Sequence, residues 1–325
     1  MRIIVYGAGA IGGVIGAQLA QAGQDVILIA RGAQLAAMRE RGLCIVTPDG
    51  VACVQVPVVG HPSEIAFRPG DVVFLTMKTQ DTDAALRDLL AACGDPDLPV
   101  VCAQNGVENE RLAARRFRRV YPMMVWMPAS FEQAGEVVCY CTPRRGILDV
   151  GAYPQGWDAT AQAIAHALET AGFSARALSD IMRSKYAKLL VNVAAIVPAL
   201  CGRAGRDSPF AQRLRAEALA CYAAAGIAAC SEAEQAQRLA EADMRIADIA
   251  GRVRPGGSVW QSLARDTGSV ETDFINGEIV LLGALHGVDV PCNRAAVSCA
   301  NRMARGHLRP GSLSLGELEA IAASA

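Results

Sequence analysis

The sequence predicts an α/β half built on a parallel sheet, followed by an all-α half. Three observations carry that reading. Short β-rich runs alternate with helical patterns up to residue 103, the signature of parallel strands covered on both faces. Past residue 178 the strand signals disappear, and residues 151–250 hold 29 of the 59 alanines. The length, 325 residues, is about twice that of an ordinary domain.

The elements follow in order. Residues 2–6 form a strand that stops at Gly7, and residues 10–22 carry helical spacing that ends at Gly23. Residues 25–30 make a second buried strand. Apolar runs recur at 51–59, 71–76 and 98–103, with a helical pattern at 81–93. Residues 120–129, 136–141 and 146–150 read as strands between turns, an antiparallel addition to the sheet edge, and a helix follows at 157–171. Helical patterns then run over 179–197, 208–226, 231–252 and 271–286, the last stopped by Gly287. The expected division is a nucleotide-binding domain over 1–178 and a helical substrate domain over 179–325. Clefts between two such domains are the usual place for a small ligand.

Composition excludes several classes. With 31 basic against 32 acidic residues the net charge is −1, so no nucleic-acid partner is expected. No uninterrupted apolar run reaches the ~18 residues of a membrane span. The best candidate, 189–201, is broken by Asn192 and Pro198, and the N-terminus has no signal-peptide pattern. Eleven scattered cysteines without a C-x-x-C pair read as reduced thiols, not as a disulfide framework or zinc site. The four dispersed histidines suggest no metal either. A cytoplasmic protein without a membrane partner is expected, and a homodimer is one assembly compatible with the sequence.

The first strand runs into Gly7-Ala8-Gly9-Ala10-Ile11-Gly12, a G-x-G-x-x-G that opens a helix. Glycines there permit a tight turn and close approach of a pyrophosphate to the helix N-terminus, the dinucleotide site of a Rossmann-type domain. The second strand ends on Arg31, where NAD-binding chains carry an acid. A guanidinium fork matches a 2′-phosphate, so the expected cofactor is NADPH/NADP. Two further strand ends carry polar groups, Thr76-Met77-Lys78 and Gln104-Asn105-Gly106.

In the helical half, Lys188 and Asn192 lie four apart and so share one helix face. Their surroundings are apolar, and a lysine so placed can donate a proton to an oxygen gaining charge. The lysine count sharpens this. Of the 31 basic residues only Lys78, Lys185 and Lys188 are lysines; the other 28 are arginines. Arginine cannot readily release its proton, so a lysine kept against that bias is a candidate for proton chemistry.

With these residues in place the chain resembles the ketopantoate reductase (2-dehydropantoate 2-reductase) family. The resemblance rests on Gly7-x-Gly9-x-x-Gly12, Arg31, Thr76-x-Lys78, Asn105-Gly106, Lys188-x-x-x-Asn192, Ser258-x-x-Gln261 and Glu271-x-Asp273-x-x-Asn276-Gly277, in order from Met1 to residue 300. It implies NADPH-dependent reduction of ketopantoate to (R)-pantoate for pantothenate synthesis. It also implies Lys188 as general acid, Asn192 as a substrate ligand and Ser258 on the substrate carboxylate. Glu271 would stand on the cofactor side near the lysine, with Lys78 and Asn105 lining the cofactor and substrate pocket. The β-hydroxyacid dehydrogenases, which also pair a Lys-x-x-x-Asn helix with a Rossmann domain, usually have methionine where this chain has Ile11.

Departures from the family pattern bear on substrate. Ile196 and Pro255 stand where asparagines occur, the stretch 202–208 lacks another, and the spacing from Ser258 to Glu271 is one residue longer. They point to an alternative, a same-family reductase that takes a less polar 2-keto acid to a D-2-hydroxy acid. On that view asparagine at position 196 improves ketopantoate turnover. A third class, an NADP(H) sensor without turnover, is disfavoured because it would not need Lys188, Asn192 and Glu271.

Overall fold

Ile3, Ile4 and Val5 are buried on both faces of Arg2–Tyr6, the strand (β1) at the heart of a seven-stranded sheet in the computed structural model, which describes residues 1–324. Along the chain come α1 (Ala10–Gln21), β2 (Val26–Ile29), α2 (Gly32–Arg41), β3 (Leu43–Thr47), β4 (Gly50–Val54), β5 (Val58–Val59), β6 (Asp71–Leu75) and α3 (Thr79–Cys93). Then follow β7 (Val100–Cys102), α4 (Glu108–Ala114), β8 (Val120–Trp126), β9 (Ala129–Ser130), β10 (Glu136–Cys139), β11 (Cys141–Pro143), β12 (Ile147–Val150) and α5 (Ala159–Thr170). The main sheet is ordered β12-β8-β7-β6-β1-β2-β5. Every pairing is parallel except β12 on β8. All five residues of β6 are buried, as a parallel strand covered on both faces requires.

The strands from 120 to 150 divide differently from the expectation. β8 is parallel to β7, while β9 and β10 enter a second sheet of order β4-β3-β10-β9. Only β12 is an antiparallel addition to the first sheet. The run 51–59 also splits, β4 joining the second sheet and β5 the first. Pro57, which has no N–H to give a ladder, lies between them.

The cysteines need a correction as well. Cys44 and Cys53 are disulfide-bonded, while nine cysteines are free thiols among the described residues. The β3–β4 hairpin sets Cys44 directly opposite Cys53, a pairing that depends on register and not on any short motif.

The remaining elements are α6 (Ile181–Ala194), α7 (Val197–Cys201), α8 (Pro209–Ala225), α9 (Glu232–Glu241), β13 (Met244–Ile246), α10 (Ser258–Ala264), a 3-10 turn Glu271–Phe274, α11 (Asn276–His286), α12 (Pro291–Arg305) and α13 (Leu315–Ala323). Two compact units result. One comprises Met1–Gln104, Asn109–Ser184 and Ser231–Arg254; the other comprises Asn105–Glu108, Lys185–Cys230 and everything from Pro255 on. The expected division into 1–178 and 179–325 differs from these units at Asn105–Glu108, at Ser231–Arg254 and at residues 179–184, which fall in the first unit.

The second difference has a physical cause. The helix expected over 231–252 stops at Glu241, because Asp243 takes a left-handed backbone (φ 47). Met244–Ile246 then pairs antiparallel with β11, so this stretch completes the α/β unit. Leu239, Ala242 and Met244 pack with Met124, Ile147 and Ile181. Arg238 meets the buried carboxylate of Asp149 with two hydrogen bonds of 2.7 and 2.8 Å and gives a third, of 3.0 Å, to Ser174.

The second unit is helical, with a core of Ile196, Val197, Leu200, Phe210, Leu214, Leu263 and Met303 among others. One stretch, Ile181–Cys201, has the length and apolar character of a membrane span, with mean hydropathy 1.3 over its window. Half of that window is buried inside the protein, as in a core helix, and the whole stretch carries Arg183, Lys185, Lys188 and Asn192.

Candidate active site

In the α/β unit the glycine loop is shaped by what it touches. A Cβ on Gly12 would fall 2.2 Å from the Gly7 carbonyl oxygen and 2.3 Å from Thr76 Oγ1, so only glycine fits there. Gly7 has φ +113, a backbone that L side chains rarely adopt. Thr76, at the end of β6, donates its hydroxyl to the Gly7 carbonyl at 2.7 Å and so fastens the loop to the neighbouring strand. Around Gly9, by contrast, a Cβ would meet nothing within 4 Å. The helix that starts at Ala10 has no side-chain cap and no acid in its first turn. The amides of Ala10, Ile11 and Gly12 therefore have no intrahelical acceptor. Ala8 precedes them as a buried residue. An open backbone beside uncapped helix amides suits a pyrophosphate.

Arg31 caps α2 at its N-terminus, and its side chain is 77% exposed. Its ion pair with Asp81, at 3.3 Å, is itself exposed and holds the guanidinium only weakly. Lys78, half-buried, occupies the N-cap position of α3. Gln104 lies in a different role from Asn105. It donates to Thr82 Oγ1 at 2.9 Å, Thr82 bonds Asn109, and Asn109 bonds Thr79, a buried chain that fixes α3 against the start of α4.

In the helical unit the structure brings Asn105 and Asn192 into contact, Asn192 Nδ2 donating to Asn105 Oδ1 at 3.2 Å. Lys188 stands one turn before Asn192 on α6. It keeps some solvent-accessible surface, yet protein surrounds it so densely that burial draws its ammonium down to about 8. Gly106 follows Asn105 and lies against the turn that carries Glu271. Gly106 has φ +77, and a Cβ there would fall 3.0 Å from the carbonyl oxygen of Phe274. Phe274 closes the 3-10 turn that carries Glu271, whose side chain is buried. Ser258 opens α10 and is exposed.

Two networks behind these residues escape sequence reading. Asn276 Nδ2 donates at 3.0 Å both to the Val193 carbonyl, in the last turn of α6, and to Asn293 Oδ1. Asn293 in turn bonds Glu217, whose carboxylate accepts from the Cys292 and Asn293 amides at 2.8 and 2.9 Å. A carboxylate there satisfies the open amides at the N-terminus of α12. The other is Gln34, which donates to the Ala8 carbonyl at 2.9 Å and accepts from the Gly135 amide at 2.7 Å. One sign of Gln34 was available, since it shares the inward stripe of α2 with Ala37 and Met38.

Ile196 departs from expectation. It is fully buried within the apolar core of the helical unit, among side chains such as Val197, Phe210 and Met303. It is core material, and the loss of an amide at this position does not by itself reshape a substrate surface. No group of three or more metal-ligating side chains occurs among the described residues.

Known proteins match the chain in both of its halves. The family model described as ketopantoate reductase PanE/ApbA matches residues 3–155, and its C-terminal counterpart matches residues 180–304. A 2-dehydropantoate 2-reductase of Archaeoglobus fulgidus is 31% identical over 314 residues, covering 94% of this chain and 98% of the relative. One from Caulobacter vibrioides is 30% identical, covering 93% and 99%. Among solved structures, a PanE/ApbA family ketopantoate reductase from Ralstonia eutropha JMP134 superposes with a TM-score of 0.77 at 27% identity, covering 94% of this chain and 99% of that one. A D-mandelate dehydrogenase shares the fold, with a TM-score of 0.79 at 23% identity and coverage of 94% and 99%. Matched along nearly its whole length, the chain belongs to the ketopantoate reductase family of oxidoreductases.

Proposed function

We propose that this chain uses NADPH to reduce 2-dehydropantoate to (R)-pantoate in pantothenate synthesis. The observation that carries the reading is Lys188, an ammonium drawn down to about 8 by burial, one turn from an asparagine already held by a second amide. Such a group releases its proton near neutral pH, which an arginine does not.

In this reading Lys188 Nζ gives its proton to the keto oxygen as that oxygen gains negative charge. Asn192 and Asn105 fix the substrate by their amides, Ser258 binds its carboxylate, and Glu271 borders the lysine on the cofactor side. The loop Gly7-Ala8-Gly9-Ala10-Ile11-Gly12 holds the pyrophosphate, Arg31 the 2′-phosphate, and Lys78 with Asn105 lines the pocket. When bound, the reduced nicotinamide supplies the hydride. The α/β unit thus carries the pyrophosphate loop, and the helical unit the proton donor. The same reading assigns the protein to the cytoplasm, where its nine free cysteines would stay reduced.

NADPH oxidation against a panel of 2-keto acids tests the proposal, with ketopantoate giving the highest kcat/KM. A larger response to another acid selects the alternative reductase, and silence across the panel selects the sensor. Cofactor choice has its own test. Arg31→Asp is expected to weaken NADPH relative to NADH by ~10- to 100-fold, the scale of a charged hydrogen bond. An unchanged ratio of the two KM values removes Arg31 from the phosphate site.

A further inference from the structure

We propose that Cys44 and Cys53 form a thiol–disulfide exchange site open to small thiols, whose state is transmitted to the glycine loop. The two cysteines face each other across β3 and β4 and are bonded. The Cys44 amide points the other way, to the Gly135 carbonyl at 2.9 Å, so the pair is of the non-hydrogen-bonded kind in which side chains approach most closely.

Access favours attack at one sulfur. β4 is an edge strand, and Gly50, Val51, Ala52 and Cys53 are exposed along it. Each of the nine free cysteines is buried or half-buried, so Cys53 is the exposed cysteine among the described residues. Exposed disulfides are the labile ones in exchange chemistry. A thiolate RS⁻ attacks Cys53 Sγ, the S–S bond breaks, and Cys44 leaves as a thiolate. A second RS⁻ attacks the RS sulfur of the mixed disulfide and releases the Cys53 thiolate. The net change is protein disulfide plus two RSH giving two protein thiols plus RSSR, with two electrons passing to the protein.

The link to the loop is a run of three hydrogen bonds. Cys44 N–H donates to Gly135 O, Gly135 N–H donates to Gln34 Oε1, and Gln34 Nε2 donates to Ala8 O. Cross-linking β3 to β4 limits the freedom of the strand that holds Gly135. Gly135 and Gln34 then hold the carbonyl between Gly7 and Gly9. This step rests on the reading that the glycine loop binds NADPH.

The test equilibrates the full-length protein with glutathione and glutathione disulfide at graded ratios. Alkylation mapped by mass spectrometry reports the thiols, and a fluorescence titration reports NADPH affinity. Cys44 and Cys53 are expected to convert together with the ratio. The disulfide form is expected to bind NADPH about fivefold more tightly, at the low end of ordinary coupling between sites. In the Cys44→Ser/Cys53→Ser double variant, and in Gln34→Leu, the ratio should no longer move the affinity. The proposal is overturned if Cys44 and Cys53 stay bonded, or stay alkylated, at every ratio. Equal NADPH affinity of the two forms overturns it as well. If neither form binds NADPH, the functional reading fails instead, and the alkylation titration still decides the exchange site.

Discussion

Replacing Lys188 by alanine is expected to lower kcat by ~10²–10⁴ while leaving NADPH affinity unchanged, the scale of losing a positioned general acid. The pH profile gives a second signature. Burial holds the Lys188 ammonium near about 8, below its ordinary 10.5. Reduction needs the protonated lysine, so its rate falls as the pH rises through that value. Oxidation of the hydroxy acid needs the neutral amine, so its rate rises over the same interval. A lysine that merely packed against the substrate would tie neither limb to this pKa. Unchanged turnover in Lys188→Ala, or a profile of the wild type flat from pH 7 to 9, removes Lys188 from the proton step.

Asparagine at position 196 is expected to harm the protein, against the simplest reading of the family pattern. Ile196 is fully buried among Val197, Leu200, Phe210 and Met303. Ile196→Asn removes apolar burial and puts an amide into this apolar cluster. Together these cost about 2–5 kcal/mol, the range of large core losses and of unpaired buried polar groups. Thermal unfolding should therefore begin several degrees lower, with ketopantoate turnover per folded molecule no higher than in the parent. A variant that keeps its melting temperature and turns ketopantoate over faster would mean that position 196 meets the substrate after all.

How far the sequence could be read depended on the range of each interaction. The strand, glycine loop and helix around Gly7, Gly9 and Gly12, and the place of Arg31 after the second strand, were legible because these elements are contiguous in sequence. Lys188 and Asn192 were legible because a four-residue interval fixes a shared helix face. The bond between Asn192 and Asn105 joins residues 87 apart, and only the recurring family order hinted at it. Nothing local marks Glu217 and Asn293 as the anchor of α12, or Val193 as the acceptor of Asn276. Cys44 and Cys53 needed the register of a hairpin whose first strand carries no clear alternation signal. Position 196 shows the opposite hazard, because comparison with a motif says which residue is missing but not which way the replacement points.

The return of Ser231–Arg254 to the α/β unit has a consequence for synthesis. Asp149, almost wholly buried, has its charge met by Arg238, which lies 89 residues further along the chain. Until the ribosome has released residues 231–254, the nascent α/β unit carries an unpaired interior carboxylate. Over the same interval Met124 and Ile147, and Val46 and Val138 of the second sheet, lack part of their cover, and β11 has no partner strand. The α/β unit, whose main sheet has all its strands by Val150, thus depends on residues as late as Arg254. During translation it presents a sticky, half-built surface, the kind of segment that chaperones hold.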